Sequence, residues 1–355
     1  MNIIKWLIYI KNNIRLPVDG FFELPYLANS PQIMVESTIN APTSKHNVTE
    51  QSISRDNIFT KGTMRYREIE PGFWIVASHI DFKKNVLIKT VYDDDFISNY
   101  YTLTFTIFEN QVQLQNTFED KVPFSSKYWG FKKPGVPVGA YMFKESKGQF
   151  YVYAFSEDWI KKNRSFDALS DKNSFKKFLD SKNGFITYQD IVPKAETLSY
   201  EVWNTLRNFN DNNFSKTLLK SQTLSLVTTF FKNAIESDRN EVENFESELD
   251  YKKIAKSEKL IIDCLTTSFL GIETIAQQVY MSPSKLKTSF KSVYGTSMKQ
   301  YHIDKKMQLA LQLIQNTDLP IKNITFEVGY ESASKFSATF KKYFNKLPSE
   351  FRISD

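Results

Sequence analysis

One helical pattern occurs twice near the carboxyl end of this 355-residue chain, and the register between the copies is the strongest constraint on what the chain can fold into. The first copy runs Ile275-Ala276, Val279, Ser282, Leu286, Phe290-Lys291, Tyr294-Gly295; the second runs Ile324-Thr325, Val328, Ser332, Phe336, Phe340-Lys341, Phe344-Asn345. The offset is 49 up to Val328 and 50 beyond it, so one extra residue sits in the second turn. In the first copy Ile272, Ile275, Ala276 and Val279 share a face at helical spacing, which Tyr280-Met281 interrupts. Ser282 is then a good N-cap, and Pro283 suits the first helical position, where a missing N–H would have been unpaired anyway. Leu286, Phe290 and Val293-Tyr294 form the apolar stripe of the next helix, and Gly295 ends it as a left-handed cap. In the second copy Ile321, Ile324, Thr325 and Val328 make the short helix and Gly329-Tyr330-Glu331 the turn. Ser332 caps a helix with the stripe Phe336, Phe340, Phe344.

Two short helices joined by a tight turn, the second exposing small polar and basic side chains, suit the major groove of duplex DNA, which admits one helix. A single copy is equally compatible with plain packing of amphipathic helices; two copies in register favour the DNA reading. The candidate base-contacting side chains are Ser284, Lys285, Lys287 and Thr288 in the first copy and Ser334, Lys335, Ser337 and Ala338 in the second, with Lys291, Lys341 and Lys342 better placed for phosphate. Charge agrees. From Tyr251 onward there are sixteen Lys and Arg against nine Asp and Glu, a net +7, whereas the whole chain carries +6. The positive excess therefore belongs to the last domain, as expected of a nucleic-acid binder. Only Arg352 among those sixteen is arginine, so bidentate arginine–guanine pairing is absent from both reading helices.

Residues 254–354 resemble the DNA-binding domain of AraC/XylS-type bacterial transcription regulators. The resemblance is densest in Asn316-Thr317-Asp318-Leu319-Pro320-Ile321, Ile324, Val328-Gly329-Tyr330, Phe336, Phe340-Lys341-Lys342-Tyr343-Phe344 and Pro348-Ser349-Glu350-Phe351-Arg352. It implies two subdomains joined by a long helix, here 298–315, which sets the reading helices roughly one turn of DNA apart in successive major grooves. The chain departs from the family pattern at four places. Tyr280 replaces the glycine of the first turn, Asn345 the glycine after the last aromatic, Lys306 a common arginine, and Ala338 a longer polar or basic residue. Asparagine tolerates the left-handed conformation. Alanine can reach only a thymine methyl, so weaker readout is expected from the second helix.

Ahead of this domain, short runs rich in Val, Ile, Tyr and Phe at 73–80, 86–91, 100–108, 112–115, 138–143 and 150–155 alternate with turn signals such as Glu70-Pro71-Gly72, Glu109-Asn110 and Pro134-Gly135. That spacing predicts an antiparallel β-barrel or sandwich. Trp74, Tyr100, Tyr101, Phe105, Trp129, Tyr141 and Tyr151 suggest a pocket but chiefly a core. The family resemblance implies that this part is a cupin-like sensor for a signal and that a helical segment dimerises. The expected architecture is multidomain α+β: an N-terminal antiparallel β-barrel, cupin-like, with helices, and a C-terminal all-α domain of two helix-turn-helix subdomains. The expected divisions are 1–57 as extension and linker, 58–165 as the β-rich sensor, 166–235 as a helical segment, 236–250 as an acidic linker, and 251–355 as the DNA-binding domain. Within the last, the elements are 272–294, 298–315 and 321–344. The segment 37–57 reads as a Ser/Thr/Asn-rich loop, and 3–10 as a short packed helix, too brief to span a bilayer. An apolar face over 214–235 is open to two readings, dimerisation or covering the barrel. The segment 236–250, with seven acidic residues against Arg239, is a solvated linker or a mask for the basic domain.

A metal cupin needs converging histidines, and the chain has three, at His46, His79 and His302. Cys264 is alone, which excludes a disulfide framework. No glycine-rich phosphate loop, nucleophile elbow or Cys/His pair is present, so neither catalysis, cofactor nor metal has candidate residues. The expected partners are double-stranded DNA, RNA polymerase, a small-molecule effector and a second copy of the chain, in the cytoplasm and without a membrane. The alternatives are a DNA-binding regulator whose β-rich part contacts another protein, and, more distantly, an enzyme tethered to DNA.

Overall fold

The computed structural model describes residues 20–115, 121–163, 166, 169–181, 184–189, 191–237 and 248–352. The chain divides into two compact units, Met1–Glu109 with Lys127–Asn244, and Asn110–Ser126 with Phe245–Asp355. The segment 3–10 and the greater part of the acidic stretch 236–250 lie outside the described residues.

Eleven strands are described: β1 (Phe22–Leu27), β2 (Ser44–Asn47), β3 (Ser52–Asp56), β4 (Thr60–Glu70), β5 (Phe73–Phe82), β6 (Val86–Val91), β7 (Tyr100–Gln113), β8 (Lys121–Lys132), β9 (Gly139–Met142), β10 (Lys147–Ser156) and β11 (Phe185–Gln189). Eight form one sheet in the order β11-β8-β7-β10-β5-β4-β3-β2, and three form a second in the order β1-β6-β9. The helices of this unit are α1 (Pro31–Ile39), α2 (Glu157–Asn163), α3 (Ser174–Asp180), α4 (Ala195–Arg207) and α5 (Asn213–Glu236).

Period-two alternation sorts the side chains of the large sheet onto two faces. Phe73, Ile75 and Ala77 of β5 join Leu103, Phe105 and Ile107 of β7, Trp129 and Phe131 of β8, and Tyr151, Tyr153 and Phe155 of β10 in one buried layer. Helices α4 and α5 cover it with Val202, Leu206, Leu219, Leu226, Val227, Phe230 and Phe231. The Trp129 ring lies 4.6 Å from Phe105 and 5.2 Å from Phe230, so sheet and helix interdigitate there. On the other face Phe82 and Phe108 meet Val86 and Met142 of the small sheet.

This arrangement corrects several expectations. The sheet is open, with β11 and β2 at its edges, rather than a closed cupin-like barrel, because its apolar face is filled by α4 and α5 instead of by opposing strands. Nor are all the strands antiparallel: within the small sheet β1 and β6 pair in parallel, from Phe22 against Val86 to Leu27 against Val91. The stretch 37–57 is no plain linker, for it holds β2 and β3, paired with each other and continued onto β4. Their polar sequences suit an edge, where a lysine and small polar residues discourage further pairing. Glu109-Asn110 does not break β7. Glu109 pairs with Lys147 across the sheet at 3.3 Å and Asn110 is buried, so the strand runs on to Gln113. The apolar face of 214–235 lies largely on the sheet, which leaves Phe214 and Leu218 as its exposed apolar side chains.

The second unit contains α6 (Glu248–Asp263), α7 (Ile272–Gln278), α8 (Pro283–Tyr294), α9 (Met298–Asn316), α10 (Ile321–Glu327), α11 (Ala333–Phe344) and a 3-10 turn, Pro348–Phe351. One cluster gathers Ile275, Ala276, Val279, Leu286, Phe290, Ile324, Val328, Phe336 and Phe340 around buried residues of α6 and α9, with Phe344 packed at its border. Val112, Leu114, Val122 and Phe124, from the ends of β7 and β8, belong to that cluster too. The β-rich division 58–165 is therefore interrupted: Asn110–Ser126 folds with the helices.

The fold leads to two expected outcomes. Phe340 is fully buried, with its ring 4.6 Å from Phe344 and 5.6 Å from Phe351. Phe340→Ala should destabilise the second unit by about 3–5 kcal/mol. The loss should show as faster amide exchange in α10 and α11, while the tryptophan-detected urea transition stays in place, because all five tryptophans precede residue 204. The second outcome concerns His79, which stacks on Trp203 with ring centroids 3.6 Å apart and has Nε2 3.0 Å from the Tyr151 hydroxyl. Burial lowers its pKa from 6.5 to about 4. Between those values the unfolded chain binds the proton that the folded chain excludes, so stability falls as pH falls through the window. His79→Gln should flatten that slope in urea titrations followed by tryptophan emission.

Candidate nucleic-acid interface

Both helix pairs of the second unit turn in the same way. In the first, the Met281 N–H donates to the Ala276 carbonyl at 3.0 Å; in the second, the Tyr330 N–H donates to the Thr325 carbonyl at 3.0 Å. The residue inside each turn is left-handed, Tyr280 at φ 55° and Gly329 at φ 71°. Their surroundings explain why one position accepts a side chain and the other does not. Tyr280 is 86% exposed. A Cβ on Gly329 would lie 2.4 Å from the Thr266 carbonyl oxygen, too close for any atom. The extra residue of the second copy falls after this shared bond, in the approach to Ser332.

Each second helix is then capped by a serine. Ser282 accepts from the Lys285 N–H at 3.3 Å and Ser332 from the Lys335 N–H at 3.4 Å, which satisfies one orphan donor per helix. Each ends on a left-handed residue, Gly295 at φ 74° and Asn345 at φ 59°, whose N–H donates to the carbonyls of Lys291 and Lys341 at 2.8 Å. Asn345 thus performs the capping that glycine performs in the first copy. Between the caps, Leu286 and Phe290 of α8 and Phe336 and Phe340 of α11 are buried, and they fix which face points outward.

On that outward face Ser284, Lys285, Lys287, Thr288 and Lys291 are all exposed in α8. In α11, Ser334, Lys335, Ala338, Lys341 and Lys342 are exposed and Ser337 is half-buried. Each helix carries three lysines and no carboxylate. Lys291, Lys341 and Lys342 stand in the last turns, where a cation is favoured by the helix dipole.

Helix α9 holds the two pairs together, and several of its polar residues are buried with partners. The Lys306 Nζ donates to the Thr267 carbonyl at 2.7 Å and lies 5.6 Å from the Tyr330 ring centroid. Burial brings its pKa down to about 8. The Tyr301 hydroxyl donates to Glu258 Oε1 at 2.9 Å, and burial pushes that carboxyl above its usual range. His302 Nε2 is 3.0 Å from the Cys264 carbonyl oxygen. His46 lies against the Tyr66 hydroxyl at 2.7 Å, and His79 lies beside Tyr151, so each histidine has its own local partner. Among the described residues no group of three or more His, Cys, Asp or Glu is placed to hold a metal ion. No described helix is long and apolar enough to cross a membrane.

Reading the sequence missed the residues that join the subdomains. Gln115, Thr266 and Glu327 meet only in the tertiary structure, and the signal in the sequence was limited to the glycine at 329. The Gln115 N–H donates to Glu327 Oε2 at 2.8 Å, and its side-chain amide donates to the Thr266 carbonyl at 2.7 Å.

Comparisons with known proteins bear on the same residues. A family described as "Helix-turn-helix domain" matches 275–354. The arabinose operon regulatory protein of Salmonella typhimurium is 36% identical over 92 residues, 26% of this chain and 33% of that protein. The Msm operon regulatory protein of Streptococcus mutans is 34% identical over 107 residues, 30% of this chain and 38% of that protein. The match thus spans little more than a third of these curated relatives. Among solved structures, a transcriptional regulator of Chromobacterium violaceum, described as containing an AraC-type DNA-binding domain, is 29% identical. It covers 29% of this chain and 91% of its own, with a TM-score of 0.27. Paired turns, serine caps and phenylalanine stripes agree with the family match over 275–354: the carboxyl-terminal part of the chain is a helix-turn-helix domain, similar in sequence to the matched stretches of the two operon regulators.

Proposed function

We propose that this protein is a sequence-specific DNA-binding transcription regulator that reads successive major grooves of one duplex with α8 and α11. The observation that carries the proposal is the matched pair of capped helices, each exposing small polar residues and three lysines with no carboxylate among them. A groove-reading helix needs this combination, because cations meet phosphate oxygens while short polar groups reach base edges. In this reading Ser284, Lys285, Lys287 and Thr288, and in the second helix Ser334, Lys335, Ser337 and Ala338, face the bases. Lys291, Lys341 and Lys342 face phosphate. The matched relatives are operon regulators by name, which supports a regulatory rather than catalytic role. The first unit receives the regulatory input from a small-molecule effector, and the chain acts in the cytoplasm beside RNA polymerase.

Two measurements separate the assigned roles. Affinity for duplex DNA should fall steeply with salt as condensed counterions are released, and Lys341→Ala should lower the slope of log K against log salt by about one without altering the preferred sequence. Lys287→Ala should cost about 1–3 kcal/mol at a single base position and relax selectivity there. Equal weakening on all sequences would remove Lys287 from the base-contacting set. Binding that ignores both salt and sequence would remove the proposal.

A further inference from the structure

Strands β7 and β8 do two jobs along their length. Leu103, Phe105, Ile107, Trp129 and Phe131 belong to the core of the first unit, whereas Asn110–Ser126 folds with the second. In that second part Val112, Leu114, Val122 and Phe124 are at most 5% exposed. The arm is also hydrogen-bonded to the helices from both of its strands. Gln312 Nε2 of α9 donates to the Pro123 carbonyl at 2.5 Å. Gln115 makes the two bonds already described, to Glu327 in the second helix-turn-helix and to Thr266 ahead of the first.

Gln115 therefore bridges the two reading subdomains. Its partners are informative. Glu327 is a carboxylate only 2% exposed, at the carboxyl end of α10, where a helix dipole disfavours negative charge. A buried charge requires donors, and the arm supplies one. The Thr266-Thr267 carbonyls are the point where three elements converge: Gln115 from the arm, Lys306 from α9, and Gly329, whose missing side chain lets its turn approach. A residue that fixes this junction fixes the angle between the subdomains.

From this geometry we infer that the arm of β7 and β8 is a clamp that sets the mutual position of α8 and α11, and so the spacing at which two half-sites can be read at once. The inference rests on the reading of both helices as DNA readers. Grooves recur once per helical turn of DNA, so a change in that angle converts a two-helix contact into a one-helix contact.

The test is a selection of full-length protein against a pool of random duplexes, followed by sequencing, for the wild type, Gln115→Ala and Glu327→Ala. The wild type should return two short motifs at one fixed spacing. The variants should return the same motifs spread over several spacings. They should bind the wild-type arrangement about five- to tenfold more weakly, as expected for the loss of a hydrogen bond at a buried junction. Duplexes carrying a single motif should be bound equally by all three proteins. An unchanged single spacing, or weakening of one-motif and two-motif duplexes alike, overturns the clamp. A second readout needs no DNA. Amide exchange should rise together in α10 and in residues 264–271 of Gln115→Ala while α8 and α11 keep their protection, and exchange that rises everywhere or nowhere overturns the inference. If the wild type selects no motif yet exchange responds as stated, the DNA-reading proposal fails and the clamp between subdomains stands.

Discussion

The second unit depends on the burial of α9 along most of its length. Met298, Tyr301, His302, Lys305, Lys306, Met307, Leu309, Ala310, Leu313 and Ile314 are all buried, so both helix-turn-helix pairs pack on one rod. Four of its buried residues are polar, Tyr301, His302, Lys305 and Lys306, and three of them make the contacts that follow. Lys306 is held by the Thr267 carbonyl, His302 by the Cys264 carbonyl, and Tyr301 by Glu258. Each is a buried polar group with a partner, the condition under which burial is tolerated. Removing one partner would leave the other buried and unsatisfied, at the cost of its desolvation.

Given the rod, the outward faces of α8 and α11 follow from their inward ones. Leu286, Phe290, Phe336 and Phe340 set the rotation of each helix about its axis, and the serine and left-handed caps set where each begins and ends. The lysines then stand where a polyanion can be met. The charge of the chain is divided accordingly, +7 from Tyr251 onward against +6 for the whole, so the positive excess is confined to one domain.

The helical elements were legible because their signals are local. Ser282-Pro283, Gly295, Ser332 and the Phe336, Phe340, Phe344 stripe each specify structure within one or two turns. Several strands were legible for the same reason: β6 and β10 are apolar runs between turn residues. The edge hairpin of β2 and β3 was not, since Ser-Lys-His-Asn resembles a loop until a neighbour offers it a ladder. Strand β8 was missed because Pro123, Ser125 and Gly130 break its pattern, and its strand character comes from its neighbours β11 and β7. The open sheet was misread as a barrel because apolar alternation reports that a face is covered, not by what; here α4 and α5 cover it.

By itself the sequence determined the two capped helix pairs, the rod between them, the side chains they expose and the charge they carry, because caps, stripes and turns act between residues a few positions apart. Tertiary structure alone decided that Gln115 would meet Thr266 and Glu327, 151 and 212 positions away. Contacts at such separation leave no periodicity to read. They exist only once two distant segments have each folded and presented a donor and an acceptor at hydrogen-bond distance.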